Sequence, residues 1–358
     1  MPLKLAIRVT RPAAVDSLGL VDIAVVDPAS LEQLRAWQDV TDAVYAADVP
    51  DLPNSPFEEL VASARTHRQS VREERWLMRQ DGSPVGVARA SFTLLDNTDQ
   101  CGVLVAVHPA HRRQGHGRRL FEHVVERVRS EGRARLLTEI AEPLVDGSTS
   151  PGPAFATRVG ATRALDEIRR VLDLAALDEA RLDALEAEAR SRSAGYETVT
   201  WVSATPDDLV DDQAELMEQM SVDAPMGDLD WERERWDATR IREQERLIAD
   251  QRRTRLVTAV RHQESGRLVA FTDIGVSQLQ PDPAYQWETL VLKAHRGHRL
   301  GMLAKVTNLR QLRREFPEAG GVVSWNAESN THMVAINDAL GFRPVERLAE
   351  WVYEIAAP

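Results

Sequence analysis

Apolar and polar positions follow the same order twice along the chain, and period-2 and period-3.6 patterns predict strands and helices in turn. The first half predicts strands at about 20–27, 100–107, 134–140 and 165–174, a hairpin at 75–93, and helices between them. The second half predicts strands at 197–203, 287–292, 321–326 and 347–355, a hairpin at 254–276, and helices in matching places. The pattern therefore predicts a mixed α/β protein built from two similar halves.

Fixed spacings support an internal repeat. Gly82 and Gly266 lie in the two predicted hairpin turns, and Gly117 and Gly301 each lie at the start of a predicted helix; both pairs are separated by 184 positions. Self-similarity at a constant offset indicates duplication of one structural unit. We therefore predict a first domain at 1–176 and a second at 197–358. The segment 177–196, rich in Ala, Glu and Arg, is predicted as a linking helix that Gly195 ends.

A glycine-containing corner follows one predicted strand in each half. In the first half, "RRQGHG" at 112–117 stands between the apolar "GVLVAV" and an amphipathic helix. Free N–H groups at a helix start attract anions, and glycine lets several of them turn toward one ligand. The corner is neither a Walker A loop nor a dinucleotide fingerprint, because no GK[ST] follows and Leu120 stands where a third glycine belongs. We expect it to suit a pyrophosphate.

Composition narrows the function classes. The 358 residues are 43% hydrophobic with a net charge of −12, which disfavours nucleic acid as the main partner and suits a cationic small molecule. With Cys101 as the single cysteine, an intramolecular disulfide is impossible. We expect no metal site, no membrane segment, a cytoplasmic location, and a monomer or homodimer. The paired histidines of the two corners are interpreted as solvated loop residues.

The sequence resembles the GNAT superfamily of N-acetyltransferases over nearly its whole length, as two copies. Arg112, Gly115 and Gly117 match the signature Arg/Gln-x-x-Gly-x-Gly/Ala, and "NTHMVAINDALGF" resembles the Asn-led helix that ends in Gly-Phe. The tandem arrangement is similar to that of mycothiol synthase and its relatives. The resemblance implies two tandem acyl-CoA N-acyltransferase folds, each a mixed sheet with two splayed parallel strands, and transfer of acetyl from acetyl-CoA by direct attack of an amine.

The resemblance also implies which residues hold coenzyme A. The expected contacts are Val105, Val107, Arg112, Arg113, Gln114, Gly115, His116, Gly117 and Arg118 in the first copy, and Leu290, Leu292, Arg296, Gly297, His298, Arg299, Gly301 and Asn330 in the second. Arg299 replaces the first signature glycine, so binding by the second corner is expected to be weaker.

The second copy carries the better candidates for chemistry. Glu288 lies on the strand before the corner, where the first copy has Leu104, and family members often keep a base there. Asn337 occupies the place of the family's tyrosine, where the first copy has Ala156, and Asn326 ends the neighbouring strand. We predict Glu288, Asn326 and Asn337 as catalytic. For Glu288 the alternative is an ordinary surface residue of a strand.

The acceptor is predicted to be a small-molecule primary amine, such as an amino sugar, an aminoglycoside-like antibiotic or a metabolite amine. Asp223, Asp228 and Trp325 are its predicted contacts, although turns and caps explain the aspartates equally well, and core packing explains the tryptophan. Two alternatives stay open: a non-catalytic acyl-CoA-binding or sensor protein, since neither copy keeps the tyrosine, and a protein-lysine acetyltransferase.

Overall fold

A computed structural model describes residues 20–144, 150–223, 225 and 227–356. Its strands form one mixed sheet in the order β1-β2-β3-β4-β5-β12-β6-β11-β10-β9-β8-β7. The strands are β1 Val21–Val25, β2 Val71–Gln80, β3 Ser83–Thr93, β4 Gln100–Val107, β5 Arg135–Pro143, β6 Thr162–Asp173, β7 Tyr196–Val202, β8 Arg253–His262, β9 Leu268–Ser277, β10 Ala284–Val291, β11 Gly321–Ala327 and β12 Arg343–Glu354.

Helices cover both faces of the sheet. They are α1 Leu31–Asp48, α2 Phe57–Arg65, α3 His116–Ser130, α4 Pro151–Val159, α5 Glu179–Arg192, α6 Val210–Asp223, α7 Ala238–Asp250, α8 Leu300–Glu315 and α9 Thr331–Leu340. One face, called here the front, packs its apolar side chains against α1, α2, α6 and α7. The back packs against α3, α4, α8 and α9. The mixed α/β fold predicted from the pattern is confirmed.

The two halves exchange their last strands. β12, from the end of the second half, pairs with β5 of the first, where Glu350 stands opposite Glu139. β6, from the first half, pairs with β11 of the second, where Arg169 stands opposite Trp325. β12 and β6 then pair with each other and join the halves into one sheet. Each half-sheet is therefore completed by a strand from the other half of the sequence.

Two clefts open where parallel strands diverge. β4 and β5 pair only over Gln100–Gly102 with Arg135–Leu137. β10 and β11 pair only over Ala284–Gln286 with Val322–Ser324. Beyond these short stretches the paired strands separate, and each corner follows the strand that runs along one side of the cleft. We call these gaps the first and second clefts.

The predicted linking segment contains α5, whose N-cap Asp178 accepts a hydrogen bond from the Ala180 N–H. The predicted hairpins correspond to β2–β3 and β8–β9. The division of the chain at 176 and 197 stays a prediction. Among the described helices, none has the length and apolar character needed to cross a membrane.

Candidate functional site

The two corners share one backbone conformation. In the first, Arg113 and Gly115 are left-handed, with φ of 67° and 87°; in the second, Gly297 and Arg299 take these places, with φ of 87° and 54°. Glycine and arginine have thus changed places between the copies. Because a non-glycine residue in this conformation costs of order 1–2 kcal/mol, each corner tolerates one strained arginine. The replacement of the signature glycine by Arg299 therefore leaves the path of the corner intact.

Each corner offers a row of free backbone donors. Within the described chain, the N–H groups of residues 113–118 and 297–302 have no hydrogen-bond acceptor. They include the first turns of α3 and α8, where the helix dipole adds positive potential. A Cβ built on Gly115 or Gly297 meets nothing within 4 Å, so both positions are open. These donors fit a pyrophosphate group.

The signature arginines are engaged inside the protein. Arg112 donates from Nε to the carbonyl of Val107 and forms a bidentate pair with Asp48, at 2.8 and 2.7 Å. Arg296 repeats this pattern, donating to the carbonyl of Val291 and to Asp223 at 3.0 Å. The guanidinium groups therefore join each corner to the end of α1 or α6. The carboxylate of Asp223, a predicted acceptor contact, is neutralised by this pair.

Other side chains of the corners also find partners within the chain. His116 is buried and contacts Gln80, Arg118 pairs with Glu122, and Arg299 pairs with Glu188 of α5. His298 contacts the carbonyl of Arg192. Arg113 and Gln114 are exposed. The backbone, rather than most of these side chains, is what the corners present to an anion.

The remaining predicted cofactor contacts lie along the clefts. Val105 and Val107 pack against the apolar cluster beneath α3, whereas Leu290 is buried beneath α6. Leu292 is partly buried against the same cluster as Leu290, and Gly301 lies in the first turn of α8. Asn330 caps α9 by accepting a hydrogen bond from the Met333 N–H at 3.2 Å.

A bulge places Glu288 on the front of the second cleft. The pairing of β10 with β9 shifts between Gln286 and Thr289, so Trp287 and Glu288 together stand where Leu104 stands in the first half. The Glu288 side chain is half-buried, and its carboxylate has no hydrogen bond or ion pair among the described residues. Burial and the nearby Asp273 raise the pKa of Glu288 to about 7, against the opposing effect of Arg255. An unpaired carboxyl group with this pKa can exchange protons near neutral pH.

A buried ion pair between β8 and β9 holds the bulge in place. Asp273 on β9 accepts from Arg255 Nε at 2.6 Å and from the backbone N–H of Glu288 at 2.7 Å. Arg255 and Asp273 are 1% and 2% exposed, so the pair is shielded from water. The hydrogen bond to Asp273 therefore fixes the backbone of Glu288. Within the pair, Asp273 raises the pKa of the Glu288 carboxyl group and Arg255 lowers it.

Further carboxylates lie on the same face near the point where the exchanged strands meet. Glu139 and Glu350 are cross-strand partners on β5 and β12, and Glu167 follows on β6. Burial and neighbouring carboxylates raise the pKa of Glu167 and of Glu350 to about 7, and burial also raises that of Glu139. We call Glu139, Glu167, Glu288 and Glu350 the front carboxylates. They make this surface attractive to a cation.

The other two predicted acceptor contacts, Trp325 and Asp228, lie at different clefts. Trp325 stacks on Tyr285, with parallel rings 6.1 Å apart, on the front of the second cleft. Asp228 lies in an exposed loop that reaches the first half, where its N–H donates to the carbonyl of Ala164. That loop helps to line a cavity of about 220 Å³ with Gln100 and Arg135. Asp228 is therefore associated with the base of the first cleft.

A chain of buried polar groups lies on the back of the second cleft. Lys305 Nζ donates to Asn337 Oδ1 at 3.2 Å, and Asn337 Nδ2 donates to Asn326 Oδ1 at 3.1 Å. Arg170 Nη1 donates to the same Asn326 oxygen at 3.0 Å. All four side chains are at least 93% buried. We call Lys305, Asn337, Asn326 and Arg170 the back polar chain.

Sequence reasoning named Glu288, Asn326 and Asn337 as candidates, and their catalytic roles stay predictions. It did not identify the residues that surround them. Glu350 and Arg170 lie on exchanged strands, whose neighbours cannot be identified from local pattern. Lys305 did carry a signal, because an apolar helix face that includes a lysine is unusual. In the described parts of the chain, no group of three potential ligands could hold a metal ion.

The chain is similar to known acetyltransferases in sequence and in fold. Residues 37–146 match the profile described as "Acetyltransferase (GNAT) family". The structure is similar to a tandem GNAT protein from the clavulanic acid biosynthesis pathway, with 28% identity over 95% of this chain and 100% of that one, and a TM-score of 0.78. It also shares the fold of a GCN5-related N-acetyltransferase from Sphaerobacter thermophilus, with 16% identity over 94% and 96% of the two chains and a TM-score of 0.63. A search of curated proteins gave no match.

Proposed function

We propose, from the premise that this chain is a GNAT acetyltransferase of the tandem two-domain type, that it transfers acetyl from acetyl-CoA to the primary amine of a small cationic molecule. The observation that carries the proposal is the Glu288 carboxyl group on the bulge beside the second cleft, which has no partner among the described residues and has the other front carboxylates near it. The similarity of 95% of the chain to a tandem GNAT protein supports the reaction class, and the carboxylates support a cationic acceptor.

Members of the GNAT family generally use acetyl-CoA, which supplies an acetyl group activated as a thioester. The backbone donors at 113–118 and 297–302 would hold its pyrophosphate. The edges of β4 and β10 that face the clefts would take the extended arm behind the thioester. The open corner positions at Gly115 and Gly297 support this fit.

The acceptor amine must lose a proton before or as it attacks. A free alkyl ammonium has a pKa near 10, so little neutral amine exists at pH 7. Glu288, with its pKa near 7, is ionised in a substantial fraction of molecules at that pH and can accept the proton. The front carboxylates would attract the ammonium and hold it on the side of the sheet where Glu288 lies.

The proposal is tested with acetyl-CoA and a panel of diamines, amino sugars, aminoglycosides and lysine-containing peptides. We expect coenzyme A release with small cationic amines, mass-verified N-acetyl products, and little turnover of neutral amines or peptides. Turnover confined to peptides would replace the small-molecule acceptor by protein lysine. Tight binding of acetyl-CoA without turnover of any acceptor would favour an acyl-CoA sensor.

The first corner is expected to bind coenzyme A through its backbone. Gly115→Asp adds a carboxylate in open space beside the free N–H groups, so coenzyme A affinity at this corner should fall more than tenfold. Gly115→Asn is the matched control, because asparagine has the same shape and also tolerates positive φ. Calorimetry should show the loss with Asp and much less with Asn. Equal affinities for the two variants would contradict binding at this corner.

A further inference from the structure

The back polar chain has an apolar counterpart in the half-sheet that contains the first cleft. Lys305 stands where the repeat places Phe121, and Asn337 stands where it places Ala156. The strand registers likewise set Asn326 and Arg170 where Ile140 and Trp351 lie. In the half-sheet that contains the first cleft, Ala156 and Ile140 of the first half and Trp351 of the exchanged strand β12 form an ordinary apolar cluster. Four contacting positions thus differ together, from apolar to hydrogen-bonding.

Two basic side chains of the back polar chain, Lys305 and Arg170, have no carboxylate partner within the described residues. Lys305 is 2% exposed and Arg170 is 6% exposed, and neither forms a salt bridge among the described residues. Arg170 Nε also lacks any hydrogen-bond acceptor there. Burying an uncompensated cation costs several kcal/mol, and an apolar cluster fills the same place in the half-sheet of the first cleft. The fold itself therefore does not require these charges.

The position of the back polar chain indicates which group its basic side chains act on. Asn326 lies two residues beyond Ser324, the last residue of β11 that pairs with β10, so it borders the second cleft from the back. Its side-chain oxygen accepts from both Asn337 and Arg170. The cleft therefore has a carboxyl group on its front and a cation-polarised amide chain on its back. A negative charge that forms between them would be stabilised from the back.

We propose that Lys305 and Arg170, acting through Asn337 and Asn326, stabilise the thiolate that leaves when acetyl is transferred in the second cleft. This rests on the proposed function. Glu288 takes the first proton of the ammonium, and the neutral amine nitrogen then bonds to the acetyl carbon. The carbon–sulfur bond breaks with the electron pair kept by sulfur, and the second proton of the nitrogen passes to bulk water, so that the products are the N-acetyl amide, the coenzyme A thiolate and two protons. Lys305 and Arg170 are positioning residues here, because they act through the two asparagines.

The surrounding charges are consistent with this role. Asp273 on β9 is the carboxylate that acts on Lys305; it raises the pKa, but burial dominates and lowers it to about 7. Asp273 is already paired with Arg255, and the ring of Phe342 lies 5.7 Å from Lys305 Nζ. Lys305 therefore carries its charge in part of the molecules at neutral pH, and a thiolate in the cleft would favour the charged form.

The decisive experiment measures the sulfur itself. Coenzyme A is added at pH 7.5 to the Gly115→Asp protein, which leaves the second corner as the binding site, and the far-ultraviolet thiolate band is recorded against S-methyl-coenzyme A. We expect a thiolate band from bound coenzyme A at a pH where free thiol predominates. In the Lys305→Met variant, the intensity of this band should be at least fivefold lower. The affinity for coenzyme A should change less than twofold. Arg314→Met, on the exposed side of α8, should retain it.

Thermal unfolding separates this role from a structural one. Lys305→Met replaces a buried cation by an apolar side chain of similar length, so its Tm should stay the same or rise. A normal thiolate band in Lys305→Met would overturn the inference while leaving the proposed function intact. Absence of coenzyme A binding in the Gly115→Asp protein would overturn both, because the second cleft would then not use coenzyme A.

Discussion

Glu288→Gln should lower kcat by a factor of about 10² to 10⁴, the usual contribution of a positioned general base. The substitution keeps the size and polarity of the side chain but removes its basicity. Glu288 is half-buried on the bulge, and its carboxylate has no partner within the described residues, so no ion pair is lost. Coenzyme A affinity and Tm should stay near wild-type values. Glu264→Gln, in the exposed turn between β8 and β9, is the control.

The pH profile gives a second measurement of Glu288. Because its folded pKa is about 7, the carboxylate is lost as the pH falls through that value, and the wild-type rate should fall with it. The Gln variant should lack this inflection and should regain relative activity at high pH, where free amine is commoner. A variant that turns over at the wild-type rate at pH 7 would leave Glu288 as a strand residue without a catalytic role.

Arg255→Met should cost about 3–5 kcal/mol of unfolding free energy, because it leaves a buried carboxylate without its partner. Arg255 and Asp273 are both almost fully buried and 2.6 Å apart. Arg255→Met/Asp273→Asn should recover much of the loss, since the neutral amide can still accept from the Glu288 N–H. Denaturant unfolding of the single and double variants measures the difference. A double variant no more stable than Arg255→Met would contradict this explanation.

The Arg255→Met substitution should also shift the pH dependence of kcat. Arg255 lowers the pKa of Glu288, so its removal should raise that pKa further and move the acidic limb of the kcat profile to higher pH. Arg261→Met is a suitable control, because Arg261 lies on the same strand but pairs with the more exposed Glu197. An unchanged acidic limb of the kcat profile in a folded Arg255→Met protein would show that the buried pair does not influence the pKa of Glu288.

Much of the fold could be predicted because the duplication provides two independent samples of each pattern. The strands, the corners and Glu288 follow from local periodicity, from glycine positions and from the comparison of Glu288 with Leu104. The bulge could not be predicted, because one extra residue in β10 becomes visible only through its pairing with β9. The engagement of Arg112 by Asp48 depends on where α1 ends in space.

The exchanged strands explain most of what sequence analysis missed. Glu139 and Glu350 are adjacent because β5 pairs with β12, a strand from the far end of the other half. The same exchange brings Arg170 to Asn326. Period-2 alternation assigns a strand residue to a face, but it does not give the neighbouring strand. Side chains whose partners lie on an exchanged strand are therefore invisible to pattern analysis.

The strand exchange also affects how the chain can fold during synthesis. β5 cannot pair with its permanent neighbour until β12, which contains residues 343–354, has emerged from the ribosome. Pairing over such sequence distances slows folding, and exposed strand edges favour aggregation in the meantime. The edge of β5 that faces β12 in the folded protein therefore lacks this partner during translation of the second half, until residues 343–354 have been made.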